Sequence, residues 1–207
     1  MTEFKKLTPE ELQAYKDRYV KAVTSTGREG IESFLAWLEG TDFYAAPAST
    51  KPAYHGCYEG GLLIHHLNVI NIGVIKLNSF KKQLAIESIT QDTINSYILA
   101  AACHDFCKVN TYKKAYLKSG EFKGEYKVED TSGLNLGHGE KSVVMAIQSG
   151  LKLLPEELSS IRWHMGLWDA GAREDYPSGF AFKSCHGTWL GRLLSTSDYE
   201  AALLEKC

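Results

Sequence analysis

Residues 99–108 read Leu-Ala-Ala-Ala-Cys-His-Asp-Phe-Cys-Lys. This apolar, helix-compatible run delivers an imidazole and a carboxylate side by side, His104 and Asp105, with the ammonium of Lys108 three residues further on. Burial of an ionised carboxylate costs several kcal/mol unless the group is paired or bound to a cation. If the run belongs to the core, Asp105 needs a partner, and a metal ion is a natural one.

The composition bounds the class of protein. A chain of 207 residues, 44% hydrophobic and 23% charged, is long enough for one well-buried domain and is typical of a soluble globular protein. The net charge of −2 gives no electrostatic sign of binding to nucleic acid or to an anionic membrane. The first residues lack a signal-peptide core, and no stretch approaches about 18 uncharged apolar residues, so we expect no membrane partner. Five cysteines without disulfide-framework spacing favour a reducing, cytoplasmic location.

The hydrophobic pattern predicts an all-α fold with one small β-hairpin insertion at about 109–129, a stretch rich in lysine and tyrosine. We expect one domain over 1–207, in which a helical pair at 1–40 packs on a core at 41–207. Residues 41–59 form a long loop in this interpretation, and residues 167–186 are irregular. The helices are predicted at about 8–27, 31–40, 60–77, from Thr90 or Asp92 to His104, from 137 onward, 155–164 and 187–205.

Several polar residues occupy helix positions or segments that are otherwise apolar. Asp198 occupies a core-facing position of the last amphipathic helix. His65 and His66 lie on two neighbouring apolar stripes, and helical periodicity does not choose between them. His138 stands in a Gly-His-Gly sequence at a predicted helix start, and His164 ends a short helix. Each of these histidines taken alone is more often structural than functional, whereas Asp198 is more often a functional acidic group.

Taken together, these residues predict a metal site. Five segments each offer histidine or aspartate, every segment separated from the next by 26 to 39 residues, a spacing suited to a helical bundle with ligands at its centre. Imidazole and carboxylate without thiolate are typical of catalytic zinc, iron or manganese. A competing interpretation takes Cys103 and Cys107, one helical turn apart, as thiolate ligands beside His104. No second cysteine pair at zinc-ribbon spacing supports it.

The order of these motifs resembles the HD superfamily of metal-dependent phosphohydrolases over roughly residues 40–205. Tyr58-Glu-Gly-Gly-Leu-Leu-Ile-His65 is similar to the first-ligand motif of that family, which favours His65 over His66. His104-Asp-Phe-Cys-Lys108 resembles its HD-x-x-K signature. The segments around His138 and His164 resemble the two extra histidines of dinuclear members, and Ser195-Thr-Ser-Asp198 stands at the place of the closing aspartate. The loop 46–56 resembles that of a bacterial and phage-associated branch.

The resemblance implies an HD-type helical bundle with one or two divalent metal ions, among which it does not distinguish Mn, Fe, Zn, Co, Ni and Mg. The first ion would be held by His65, His104, Asp105 and Asp198. A second would be held by His138 and His164, with Asp105 bridging. In a one-metal enzyme, His138 and His164 would contact a phosphate oxygen instead.

The implied activity is hydrolysis of a phosphate monoester or diester in a small phosphorylated substrate, such as a nucleotide or an RNA or DNA end. Asp105 and Lys108 would be catalytic, with Lys108 and then Lys51 the preferred contacts to the substrate. The aromatic residues Tyr54, Tyr58, Trp163 and Trp168 are candidates for stacking on a base.

Two other functions fit the same sequence. One is a non-haem di-iron oxygenase, because some dinuclear members of the superfamily oxidise small molecules. The other is a nucleic-acid-binding or regulatory module with a structural metal, whose surface would be the hairpin lysines Lys113, Lys114, Lys118, Lys123 and Lys127. The oligomeric state is open.

Overall fold

The computed structural model describes residues 6–80, 88–175 and 180–205. These residues are mostly helical and carry one two-stranded antiparallel sheet, which confirms the predicted helical class with a small hairpin. The helices are α1 Pro9–Thr24, α2 Ile31–Glu39, α3 Gly61–Phe80, α4 Gln91–Cys103, α5 His138–Gln148, α6 Pro155–Trp163, α7 Ala170–Asp175, α8 Phe180–Gly187 and α9 Trp189–Leu204, with short 3-10 turns at Phe106–Lys108 and Gly166–Trp168.

Capping residues explain where two of these helices begin. The Thr8 side chain accepts a hydrogen bond from the backbone of Glu11, whose carboxylate accepts one from the backbone of Thr8, and Pro9 occupies the first helical position. Helix α4 is capped by Thr90 rather than Asp92, since the Thr90 hydroxyl accepts from the backbone N–H of Thr93.

The centre of the bundle is the crossing of α3 and α4, which also pack against α9 and α6 respectively. A side chain at Gly73 would overlap the ring of Tyr97, so glycine lets the two helices approach closely. The Tyr97 hydroxyl then donates to the carbonyl of Val69 at 2.6 Å. Helix α1 covers the other side, where the Tyr19 hydroxyl donates to the carbonyl of Ala102 at 2.7 Å. These contacts bury the last turn of α4 completely.

The hairpin consists of β1 Tyr112–Tyr116 and β2 Phe122–Val128, paired so that Lys113 stands opposite Lys127. Its turn contains Gly120 at φ +86°, a left-handed conformation that favours glycine. The backbone N–H of Tyr126 donates to the carbonyl of Thr50 at 2.9 Å. The hairpin is thereby attached to the loop between α2 and α3.

The prediction that 167–186 is irregular is wrong for the described residues, because this stretch contains α7 and α8. The sequence pattern did not indicate these helices, because the stretch contains several glycines and few apolar residues at helical spacing. The Asp169 carboxylate accepts from the backbone N–H of Ala172 at the start of α7. Helix α8 buries Phe182 and Cys185 and packs on α6 and α9, so tertiary contact stabilises a segment too short to form a helix alone. Pro177 lies outside the described residues.

None of the helices in the described part of the chain combines the length and apolar character needed to cross a membrane.

Candidate metal centre

The six predicted ligands lie together in one cluster at the end of α4. His104 directly follows the last residue of the helix, and Asp105 precedes the 3-10 turn Phe106–Lys108. Both are essentially inaccessible to solvent, with Asp105 only 2% exposed. The other four come from α3, α5, α9 and the end of α6: His65, His138, Asp198 and His164.

One half of the cluster joins α3, α4 and α9. The Nε2 atom of His65 lies 3.0 Å from Oδ1 of Asp198 and 3.3 Å from Nε2 of His104. The His104 Nε2 atom lies 3.7 Å from the same Asp198 oxygen. Both imidazole nitrogens lie 3.6 Å from Oδ2 of Asp105. Two imidazoles and two carboxylates therefore converge on one point.

The other half uses the second oxygen of the same aspartate. The Oδ1 atom of Asp105 lies 2.8 Å from Nε2 of His138 and 3.6 Å from Nε2 of His164. These two nitrogens are 3.2 Å apart. Asp105 thus stands between two imidazole pairs and presents one carboxylate oxygen to each, as a bridging carboxylate would.

Backbone hydrogen bonds determine which ring nitrogens face the cluster. The Nδ1 atom of His104 lies 2.8 Å from the carbonyl of Ala101, and that of His164 lies 2.6 Å from the carbonyl of Ile161. A carbonyl only accepts, so Nδ1 carries the proton and donates, and Nε2 of each neutral ring keeps its lone pair. This is how proteins orient histidine toward a metal. Imidazole lone pairs and carboxylate oxygens that converge on one point fit a divalent ion.

The structure distinguishes the two adjacent histidines of α3. His65 faces the cluster, and its Nδ1 atom lies 3.1 Å from Oε2 of Glu205. His66 lies on the other face, where its Nδ1–H donates to the carbonyl of Ala102 at 3.0 Å. Its ring packs against Phe43 and Phe106. His66 is therefore a core residue.

Sequence reasoning missed two neighbours of the cluster, Glu205 and His55, and placed a third, Cys107, beside the wrong histidine. Glu205 contacts Nδ1 of His65, the ring nitrogen that faces away from the cluster. The side-chain amide of Asn68 in turn donates a hydrogen bond to Oε1 of Glu205 at 2.7 Å. Glu205 follows Asp198 by seven residues, two helical turns, so helical spacing could have found it. The ring of His55 lies 4.6 Å from that of His65, centroid to centroid, and no pattern in the loop indicated it. Cys107 lies against His138 rather than forming a pair with Cys103 at His104.

The two predicted substrate lysines differ in position. The Nζ atom of Lys108 donates to Oδ2 of Asp105 at 2.6 Å and is largely buried. Burial opposes its charge, but the neighbouring Asp105 keeps the pKa of Lys108 above its usual value. Lys51 is exposed in the loop, where it adds to the effect of Lys123 in lowering the pKa of Glu125.

The electrostatics of the cluster are those of a site that needs cations. Burial alone would raise the pKa of Asp105, but Lys108 and the surrounding histidines hold it well below the usual range. Burial likewise opposes the protonation of His65, yet Asp198 and Glu205 raise its pKa to about 9. The His138 pKa rises to about 10, against burial, because of Cys107 and Asp105. Without metal, protons on two histidines and the Lys108 ammonium balance the carboxylates.

We expect metal uptake to release protons, because His65 and His138 are protonated at pH 7 and must lose a proton to become ligands. The apparent affinity for zinc should rise about tenfold per pH unit for each proton displaced between about pH 6 and 9. Calorimetric titration in buffers of different ionisation enthalpy measures this release. A pH-independent affinity would contradict it.

The raised pKa values of His65 and His138 also determine how the stability of the metal-free protein changes with pH. Both folded-state pKa values lie above the ordinary value of 6.5, so their contribution to the stability of the metal-free protein is complete below that pH. It is lost as the pH rises toward about 9 to 10. Thermal unfolding of metal-free protein should therefore shift to lower temperature over this range.

The cluster is flanked by a cavity of about 410 Å³. Lys108 and His55 belong to its wall, so a molecule in the cavity would lie beside Lys108, which is itself paired with Asp105. Three tyrosines also line it: Tyr54, Tyr112 and Tyr199. Another cavity of about 470 Å³ lies between the start of α1 and the hairpin. None of the six cluster residues lines either cavity, and the first differs from the second in that Lys108 and His55 belong to its wall.

The other aromatic candidates lie in different surroundings. Tyr58 is buried, and Trp163 carries the guanidinium of Arg162 over its ring at 3.8 Å from the centroid. Trp168 is 76% exposed. Of the four predicted stacking residues, Tyr54 is the one that lines the cavity beside Lys108.

The hairpin lysines are mostly compensated by acidic neighbours. Lys114 pairs with Glu59 at 2.9 Å, Lys123 with Glu125 at 2.8 Å, and Lys127 with Glu129 at 2.6 Å. Such pairing reduces the positive potential of the surface that a nucleic-acid-binding module would use.

No family model matches the chain, and no significant similarity was found to a curated protein or to a solved structure.

Proposed function

We propose that this chain is a metal-dependent phosphohydrolase of the HD type, which hydrolyses a phosphate ester of a nucleotide or of a short nucleic acid. The observation that supports it is the position of Asp105, with one carboxylate oxygen facing His65 and His104 and the other facing His138 and His164. A single buried carboxylate shared by two imidazole pairs is unusual as a purely structural arrangement.

The donor set suits catalytic divalent metals with nitrogen and oxygen ligands. Asp105 would be shared by two positions, the first completed by His65, His104 and Asp198, and the second by His138 and His164. Bound there, a divalent ion would lower the pKa of a water molecule toward about 7 and polarise a phosphoryl oxygen.

The chain's own groups would bind and orient the phosphate. Lys108 lies between the cluster and the cavity, so its ammonium provides a positive charge where negative charge would develop on a phosphoryl oxygen. The tyrosines of the cavity wall offer flat faces to a base. Glu205 and the carbonyls of Ala101 and Ile161 hold three of the imidazoles in their orientations.

The test is elemental analysis of the purified protein, followed by a hydrolysis panel. Metal-free protein would receive each of Mn, Fe, Zn, Co, Ni and Mg, with aryl phosphate mono- and diesters, nucleotides and short RNA or DNA strands as substrates. We expect at least one metal to restore hydrolysis at least about 100-fold over the metal-free protein. Oxygen-dependent turnover with iron would favour the oxygenase instead, and salt-dependent strand binding without hydrolysis would favour the binding module.

A variant pair sharpens the result. Lys108→Met should lower kcat/KM about 10²- to 10³-fold, because it removes a positive charge beside the reacting phosphate. Lys114→Met removes an exposed lysine paired with Glu59 and should leave kcat/KM unchanged. Equal activity of the two variants would remove Lys108 from the mechanism.

A further inference from the structure

Cys107 is buried beside the second half of the cluster and has no role in the function proposed above. It lies in the 3-10 turn two residues after Asp105 and is 7% exposed. Its backbone N–H donates to the hydroxyl of Ser142 at 3.1 Å, and its carbonyl accepts from the hydroxyl of Thr111 at 2.8 Å. These bonds hold the backbone on both sides of the side chain, so the position of the sulfur is well determined.

The sulfur is directed at the ligands of the second half. The Sγ atom lies 3.2 Å from Nδ1 and 3.5 Å from Nε2 of His138, and this Nε2 atom also lies 2.8 Å from Oδ1 of Asp105. One ligand atom from each of Asp105, Cys107 and His138 falls within 4.8 Å of the others. With metal–sulfur and metal–nitrogen bonds of about 2.3 and 2.0 Å, two ligands of a tetrahedral ion lie about 3.5 Å apart.

Cys103 shows what a structural cysteine looks like in this protein. It is fully buried within the apolar core, and burial raises the pKa of its thiol well above the usual value. That is the behaviour of a small hydrophobic residue. Cys107 lies instead among a carboxylate and an imidazole, and it stands outside the apolar core cluster of the described residues.

We propose that the thiolate of Cys107 is a protein ligand of the second metal position, together with Asp105, His138 and His164. This extends the proposed function, on which it rests for the existence of a metal at that position. A thiolate is a soft ligand, so the second position would select zinc, cobalt or iron over magnesium and manganese. The first position, with nitrogen and oxygen ligands, would lack this selectivity.

The experiment is a cobalt(II) titration of the metal-free full-length protein under reducing conditions, followed by absorption spectroscopy. A thiolate ligand produces an intense charge-transfer band in the near ultraviolet, which nitrogen and oxygen ligands do not. We expect wild-type protein and Cys103→Ser to show the band, and Cys107→Ser to lose it while the first position still binds cobalt. The affinity of the second position should fall at least about tenfold in Cys107→Ser.

Three results of the cobalt titration would overturn the assignment of Cys107 as a ligand. Cobalt bound by the wild-type protein without a charge-transfer band would overturn the proposal and leave the proposed function standing. A band that persists in Cys107→Ser would also overturn it. Failure of the wild-type protein to bind cobalt or zinc would overturn the thiolate proposal, whereas failure of every metal in the hydrolysis panel would overturn the proposed function. X-ray absorption of the zinc-loaded wild-type protein checks the assignment independently of any variant, since it should show a sulfur at about 2.3 Å.

Discussion

Asp105→Asn should abolish metal binding at both positions and lower hydrolysis at least about 10³-fold, a loss of about 4 kcal/mol of transition-state stabilisation. The reason is that each oxygen of this carboxylate faces a different imidazole pair, so neutralising one side chain affects both halves. The variant also leaves the Lys108 ammonium buried beside an amide, which should lower the free energy of unfolding of the metal-free protein by about 1–3 kcal/mol.

Metal content after dialysis, steady-state kinetics and chemical unfolding would measure these effects. Asp130→Asn is the matched control, because the Asp130 carboxylate also pairs with a lysine, Lys141 at 2.6 Å, but lies outside the cluster. The control should keep its metal and its activity. Asp105→Asn protein with wild-type metal content would disprove the bridging role.

His65→Ala and His66→Ala should have opposite effects, although the two residues are adjacent. Loss of His65 removes a ligand from the first half, so metal content and activity should fall by at least about 10²-fold while the fold is kept. Loss of His66 removes a ring from the core between Phe43 and Phe106 and a hydrogen bond to the carbonyl of Ala102, which still accepts from Tyr19. It should lower the free energy of unfolding by about 2–4 kcal/mol with little change in metal content.

Elemental analysis, kinetics and denaturant unfolding on the two variants give the comparison, each variant serving as the control of the other. If His66→Ala lost its metal while His65→Ala retained it, the assignment of the two faces of α3 would be reversed.

Much of the candidate site could be read from the sequence because its residues interrupt apolar patterns. His104 and Asp105 follow a run that must be core, and Asp198 breaks the apolar stripe of α9. Burial makes an unpartnered carboxylate costly, so such positions imply partners elsewhere in the chain. The structure brings these residues together with His65, His138 and His164.

Other features depended on contacts between segments distant in sequence. Periodicity placed His65 and His66 on equally apolar stripes, and only the packing of α1 and α9 on opposite sides of α3 separates them. Glu205 reaches His65 across 140 residues, and Cys107 reaches His138 across 31. Helices α7 and α8 are too short to be stable without their neighbours.

The sequence by itself determined the helical class, the hairpin and the polar residues that an apolar core cannot leave unpaired, because these follow from local periodicity and from the cost of burying charge. Only the tertiary structure decided which face of α3 carries the candidate ligand and that one carboxylate lies between two imidazole pairs. It also placed a thiol beside one of them. Those facts depend on how helices cross, and crossing is set by the packing of side chains far apart in the chain.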